Sequence, residues 1–205
     1  MRPVDPAVDA ASLYRASHPP EGDERIWTYL PYGPYETLET FEDRLHEMAA
    51  SEDPLFFAIV ALPDERPLGV ASYLRITPQA GSIEIGHIWF GTPLQRTAAA
   101  TEAIFLLARH AFDDLGYRRL EWACNALNAA SRSAAERFGF TFEGVFRQAQ
   151  VVKGRNRDTT WYSIIDGEWS EIRAAFETWL APGNFDAVGR QRTSLRELTA
   201  ALTFH

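Results

Sequence analysis

The chain has 205 residues, 46% of them hydrophobic, and a formal net charge of −8. That length suits one domain with a sizeable core and a small appendage. The acidic balance argues against nucleic acid as the main partner. No apolar run approaches the roughly 18 residues of a membrane span, so no membrane partner is expected, and a single cysteine, Cys124, excludes an intrachain disulfide framework or a Cys-rich metal site.

In chain order, the opening MRPVDPAVDA has no basic leader and no apolar core of a signal peptide, so a cytoplasmic location is expected. Asp5 as N-cap and Pro6 at the first helical position predict a helix from Pro6 to Ser17. His18 to Gly22 and Pro31-Tyr32-Gly33-Pro34 read as loops. A second helix is expected from Glu36 to Ala50, with Leu38, Phe41, Leu45 and Met48 at helical spacing. Three strands should follow: Leu55 to Val60, Leu68 to Ile76 and Ile83 to Phe90, the first two joined by a turn at residues 63–67.

The strongest helix pattern runs from Thr97 to Leu115 and stops at Gly116. Then come a strand from Arg118 to Cys124, a helix from Ala129 to Phe138 closed by Gly139, and strands over Thr141–Val152 and Thr159–Ile165 around the basic turn Lys153-Gly154-Arg155-Asn156-Arg157. Glu168 to Leu180 reads as a helix, and Ser194 to Leu202 as a short one. The order αα-βββ-α-β-α-ββ-α describes a mixed, mostly antiparallel sheet with flanking helices, an α/β (α+β) fold. Residues 1–180 are expected to form the domain and 181–205 a C-terminal extension.

The most informative junction is Glu84-Ile85-Gly86-His87-Ile88-Trp89-Phe90, a short loop, and the helix opening at Gln95-Arg96-Thr97-Ala98-Ala99-Ala100-Thr101. The unpaired N–H groups and the positive dipole end of such a helix make an anion site. The small side chains of Ala98, Ala99 and Ala100 admit a close approach, and Arg96 can add a charge-assisted bond. The same alanines also serve simple helix propensity.

Three motifs in register point further. Gln95-x-x-Ala98-x-Ala100 resembles the cofactor motif [Gln/Arg]-x-x-Gly-x-[Gly/Ala] of the GNAT superfamily of N-acetyltransferases. Asn128-Ala129-Ala130-Ser131 and Glu136-Arg137-Phe138-Gly139-Phe140 with Glu143-Gly144 resemble its ribosomal-protein N-terminal acetyltransferase (RimJ/RimL-like) branch. The similarity runs from about Leu55 to Ile165. It implies an acetyl-CoA-dependent acyltransferase acting on a primary amine, either a peptide N-terminus or a small molecule. A non-catalytic acyl-CoA-binding module is the alternative.

By the same resemblance, the backbone of Ile88, Trp89 and Phe90 pairs with pantetheine, and residues 95–101 hold the pyrophosphate. Asn128 and Ser131 lie at the pantetheine arm, with Ser131 as proton donor to the leaving thiol. Glu84, on a face with Gly86, Ile88 and Phe90 in an ideal strand, is the candidate base or amine-binding carboxylate; His87 would point to the opposite face unless a bulge intervenes. Trp27 and Tyr32, with Tyr29 and Tyr35, fall where an acceptor wall is expected, or a core cover, or a dimer contact.

Four departures from the family pattern stand out. Ala98 replaces the central glycine, which a right-handed helical backbone tolerates. Ala135 stands where the superfamily's acidic tyrosine would be, and Gln150 where some members carry a glutamate. Only Met1 to Val4 precede the first helix, so the usual first strand is shortened or missing, and an edge strand from a second subunit of a homodimer is one way to replace it.

Overall fold

In a computed structural model, which describes residues 1–202, the chain forms two compact units. The first comprises Met1–Ile76 with Glu84–Ala103, the second Thr77–Ile83 with Ile104 onward. Seven strands and their helices follow the predicted α+β order.

In the first unit the strands lie in the order β1 (Arg2–Pro3), β2 (Leu55–Ala61), β3 (Arg66–Thr77) and β4 (Ser82–Phe90). The first strand is therefore present but only two residues long, paired antiparallel as Arg2↔Ala58 and Pro3↔Phe57. It takes the edge beside β2, where an outside strand was one expectation. Its register is held by Arg2, whose guanidinium pairs with the wholly buried carboxylate of Asp9.

Helices α1 (Pro6–Ser17) and α2 (Leu38–Ala50) cover one face of these strands. Asp5 caps α1 and Thr37 caps α2 through side-chain oxygens that accept N–H bonds from the first turn. Their apolar stripes, Ala10 and Leu13, then Phe41, Leu45 and Met48, bury against Phe56, Ala58, Val70 and Trp89. A short 3₁₀ turn, Glu24–Trp27, drops Trp27 into the same core.

α3 begins at Ala98 and runs to Arg109, then widens into a π turn over His110–Asp114, so the expected single helix changes geometry in its last turn. The second unit orders its strands β5 (Arg119–Asn125), β7 (Arg155–Ile165) and β6 (Thr141–Val152), all antiparallel. Strand β7 starts four residues earlier than expected, because the basic stretch Arg155-Asn156-Arg157 pairs with Val152, Val151 and Gln150 rather than forming a turn. Between Phe146 and Gln150 the extra residues of β6 bulge out, and the carboxylate of Asp158 accepts the Gln148 N–H at 2.7 Å.

Helices α4 (Ala129–Arg137), α5 (Asp166–Leu180) and α6 (Leu195–Ala200) complete this unit. α5 buries Trp169, Ile172 and Phe176, with Phe176 stacked on Phe105 and Phe138. Residues 181–202 carry a 3₁₀ turn at Pro182–Asn184 and a bridge between Phe185 and Gln191.

Candidate functional site

Strand β4 carries the first group of candidate residues, and its backbone is not the ideal strand that alternation assumes. His87 has φ of 49°, a left-handed conformation that places an extra residue in the strand. A Cβ on Gly86 would lie 2.7 Å from Leu74 Cδ2 and 3.3 Å from Glu84 Oε1, so Glu84 and Gly86 share a face with Leu74. On β3 that face is also the face of Val70, in the core beneath α1 and α2.

After the bulge the phase reverses. Trp89, not Ile88, returns to the core face, packing 5.2 Å from Trp27 and 6.4 Å from Phe41, while Phe90 approaches Gly69 on the other side of the sheet. The expected shared face of Glu84, Gly86, Ile88 and Phe90 is therefore broken after Gly86. His87 is turned onto the Glu84 face, where its ring stacks on Tyr32 at 5.6 Å and meets Phe56 at 5.4 Å. Its Nδ1 lies 3.2 Å from the Tyr32 hydroxyl, and the Ser72 hydroxyl donates to the Gly86 carbonyl beside the bulge.

Glu84 is 2% exposed, and Arg75 brings both Nε (2.6 Å) and Nη2 (2.5 Å) to its Oε2. A buried carboxylate without a cation would be costly; Arg75, at its own positive-φ position, supplies that cation. Tyr32 carries Arg44 over its ring at 4.5 Å. Burial pushes the Tyr32 phenol well above its ordinary range, and that of Tyr35 up to about 12, with Arg44 opposing both shifts. Both remain neutral hydroxyls at physiological pH. Trp27, 1% exposed, is a core residue that backs Tyr32 at 6.1 Å.

The second group opens α3. Gly91, Leu94 and Thr97 shape the loop through Leu94 and Gln95 N–H bonds to the Gly91 carbonyl and a Thr97 N–H bond to Leu94. Thr97 Oγ1 accepts the Ala100 N–H at 3.2 Å and so caps the helix. Gln95 and Arg96 are exposed, and Arg96 has φ of 61°. The Gln95 side chain donates to the Phe90 carbonyl at 2.9 Å, tying the loop to the end of β4. Ala98 is exposed and Ala99 half-buried, whereas Ala100 and Thr101 are buried. This opening fits a pyrophosphate: a capped twelve-residue helix, solvent access, and nothing larger than a methyl at its first two positions.

The third group, in the second unit, is at the start of α4. Asn128 is the N-cap, its Oδ1 accepting the Ser131 N–H at 3.1 Å. Ser131 is thus freed from capping. Its hydroxyl oxygen instead accepts the Trp122 indole N–H at 3.0 Å. With its oxygen held as acceptor, the hydroxyl points its own proton elsewhere, and a hydroxyl that accepts such a bond is a stronger donor. Ala135, where a tyrosine would supply the acid, is wholly buried. Cys124 is a buried strand side chain of β5. Gln150 lies on β6 opposite Arg157.

Arg75 and Trp122, the partners that fix Glu84 and Ser131, were not singled out in the sequence. Arg75 carried one signal, a cation inside an apolar strand; Trp122 carried none, because its bond to Ser131 exists only once α4 packs on β5.

Comparison with known proteins now adds identity to this geometry. A family model described as an acetyltransferase (GNAT) domain matches residues 1–141. The chain belongs to the GNAT acetyltransferase family. A solved GCN5-related N-acetyltransferase from Brucella melitensis is 46% identical and superposes with a TM-score of 0.93, over 97% of this chain and 89% of that one. Among curated proteins, the chain is 33% identical over 86 residues (42% of its length) to YdaF of Bacillus subtilis (strain 168), a protein named for ribosomal N-acetyl transfer. It is 30% identical over 106 residues (51%) to the ribosomal-protein-serine acetyltransferase of Escherichia coli (strain K12). These alignments span 46% and 59% of the two curated relatives, about half their lengths. GNAT proteins generally use acetyl-CoA and act on amines. Among the described residues no helix is long and apolar enough to cross a membrane.

Proposed function

We propose that this chain is an N-acetyltransferase that moves the acetyl group of acetyl-CoA onto a primary amine, a peptide N-terminus or a small molecule, by direct attack. The observation that carries the reading is the Ser131 hydroxyl, whose oxygen accepts the Trp122 indole N–H. A serine that merely capped α4 would spend its oxygen on the helix N–H groups, and Asn128 does that instead.

The roles follow the chemistry of acetyl transfer. The amine nitrogen must be neutral when its lone pair attacks the thioester carbon; the carbon–sulfur bond then breaks and the thiolate takes a proton. Glu84 is assigned to the amine, as a buried carboxylate that attracts the ammonium form and accepts its proton through water. Ser131 is assigned to protonate the thiolate, its own proton being replaced by the N–H proton that the attacking amine loses as the amide forms. The α3 opening, residues Gln95 to Thr101, is assigned to the pyrophosphate, the backbone of Ile88, Trp89 and Phe90 to pantetheine, and Asn128 to its positioning. Tyr32 and His87 form the acceptor wall, with Trp27 behind them. The names of the two curated relatives favour a ribosomal protein among the acceptors, in keeping with the RimJ/RimL-like branch.

The test is thiol release from acetyl-CoA across an amine panel, comparing the parent chain with Glu84→Gln and Ser131→Ala. A large but measurable fall in turnover in both variants, with acetyl-CoA affinity kept in Glu84→Gln, is expected. Tight acetyl-CoA binding with no amine-dependent turnover in any form would replace this reading with a binding module.

A further inference from the structure

The residues after α5 lie beyond the part that the family model matches, yet they are built into the helix that carries Ser131. α6 is preorganised by a capping box, Ser194 and Glu197 exchanging bonds at its first turn. It is anchored by Leu195, which is fully buried. The linker before it is closed by the Asn184 side chain, which donates to the Trp179 and Thr193 carbonyls and accepts the Thr193 N–H. The Trp179 indole also donates to Gln191 at 2.8 Å.

What this clasp holds is the C-terminal half of α4. Arg196 Nη2 donates to the Ser133 carbonyl at 3.1 Å and to its hydroxyl at 2.8 Å, and stands 3.7 Å from Glu136. Thr199 Oγ1, which shares its one proton with the Leu195 carbonyl of its own helix at 3.1 Å, also lies 3.3 Å from the carbonyl of Arg137, the last residue of α4. A cation and a donor at a helix C-terminus oppose its negative dipole end.

The helix needs this support. α4 has nine residues, too short to be stable alone, and Ala135 is its one buried residue. Within the helix apolar packing thus rests on Ala135, with the buried C-cap Phe138 stacked on Phe176 just beyond its end. From Ser131 to Arg137 the helix spans about 9 Å, so tilting the C-terminal end displaces the Ser131 hydroxyl relative to Trp122.

We propose that the C-terminal segment, through Arg196 and Thr199, is a positioning element that fixes α4 and so aims the Ser131 hydroxyl. The proposal rests on the proton-donor role assigned to Ser131 above. Arg196 and Thr199 touch no reacting atom; they act through α4.

The experiment uses the full chain with Arg196→Ala, Arg196→Lys and Thr199→Val, each also combined with Ser131→Ala. Turnover, acetyl-CoA affinity, melting temperature and hydrogen exchange of the Ser131 amide are read for all. Arg196→Ala is expected to lower kcat about tenfold, a misplacement well under the 1 Å that costs about 100-fold. The Ser131 amide should exchange faster, and Arg196→Lys should recover part of both losses. In the Ser131→Ala background Arg196→Ala should cost no further kcat. If Ser131→Ala slows turnover but Arg196→Ala does not, or if the two losses multiply, the positioning proposal is overturned and the reading of Ser131 stands. If Ser131→Ala itself leaves kcat unchanged, the donor assignment fails and the proposal falls with it. Should Arg196→Ala not fold, Thr199→Val carries the same comparison, with the same two outcomes.

Discussion

The hydrogen bond from Trp122 to Ser131 makes a quantitative claim that needs no substrate. Ser131→Ala leaves the Trp122 N–H without its acceptor in a half-buried setting, which costs about 1–3 kcal/mol. At roughly 2–4 °C per kcal/mol for a chain of this length, the melting temperature should fall by roughly 2–12 °C. Trp122→Phe keeps an aromatic ring against Phe138 and Phe140, which lie 5.9 and 5.6 Å from it, but loses both the bond and part of the packing. In the Ser131→Ala background only the packing is left to lose. The cost of Trp122→Phe should therefore shrink there by about 1 kcal/mol, the net worth of one neutral hydrogen bond. Thermal melts of the four proteins without ligand measure this coupling directly. Strict additivity, within about 0.3–0.5 kcal/mol, would mean that the bond does not hold the hydroxyl, and the proton-donor assignment would lose its support.

Other predictions concern the first unit. Burial holds the His18 imidazole below its ordinary value, with its bond to the Tyr14 carbonyl opposing the shift; its Nε2 accepts the Tyr35 N–H at 3.2 Å. A depressed histidine binds fewer protons folded than unfolded, so stability is complete above the unfolded value of about 6.5 and falls as pH drops below it. Denaturation midpoints across pH 5 to 8 should show this slope, and His18→Gln should flatten it. Gly86→Ala should destabilise by at most about 1 kcal/mol, because the new methyl meets only the movable Leu74 Cδ2 at 2.7 Å, and Leu74→Ala should relieve that in urea melts. Arg75→Met should cost about 2–4 kcal/mol by stranding the Glu84 carboxylate, less than for a fully buried pair because the Arg75 side chain is 45% exposed. Adding Glu84→Gln should recover part of the loss. Gln95→Ala should raise the acetyl-CoA Kd, measured by calorimetry, because the α3 loop loses its tie to Phe90.

Much of this was legible from pattern and caps. Asp5-Pro6 set the start of α1, the Phe41, Leu45 and Met48 stripe set α2, and the alanine-rich stretch after β4 marked the start of α3. What escaped the sequence was backbone conformation at single residues. Nothing in Glu84-Ile85-Gly86-His87 announces that His87 adopts a left-handed φ, yet that one dihedral reverses the phase of the strand and moves His87 and Trp89 to the face beneath α1 and α2. The tertiary partners of the site residues were equally invisible. Arg75 meets Glu84 across two strands, Trp122 meets Ser131 from strand to helix, and Arg196 reaches Ser133 over 63 residues. A short C-terminal helix was readable from Ser194, but not that its purpose is to grip α4.

The central claim is that this chain transfers acetyl groups to amines rather than only binding the donor. The direct measurement incubates it with acetyl-CoA and a panel of small amines and ribosomal-protein N-terminal peptides, and follows acetylated products by mass spectrometry alongside free thiol. The account predicts at least one acceptor acetylated in one-to-one proportion with thiol release, abolished or strongly slowed by Ser131→Ala. Acetyl-CoA bound firmly with no acetylated amine, or product formed at the parent rate by Ser131→Ala, would contradict it.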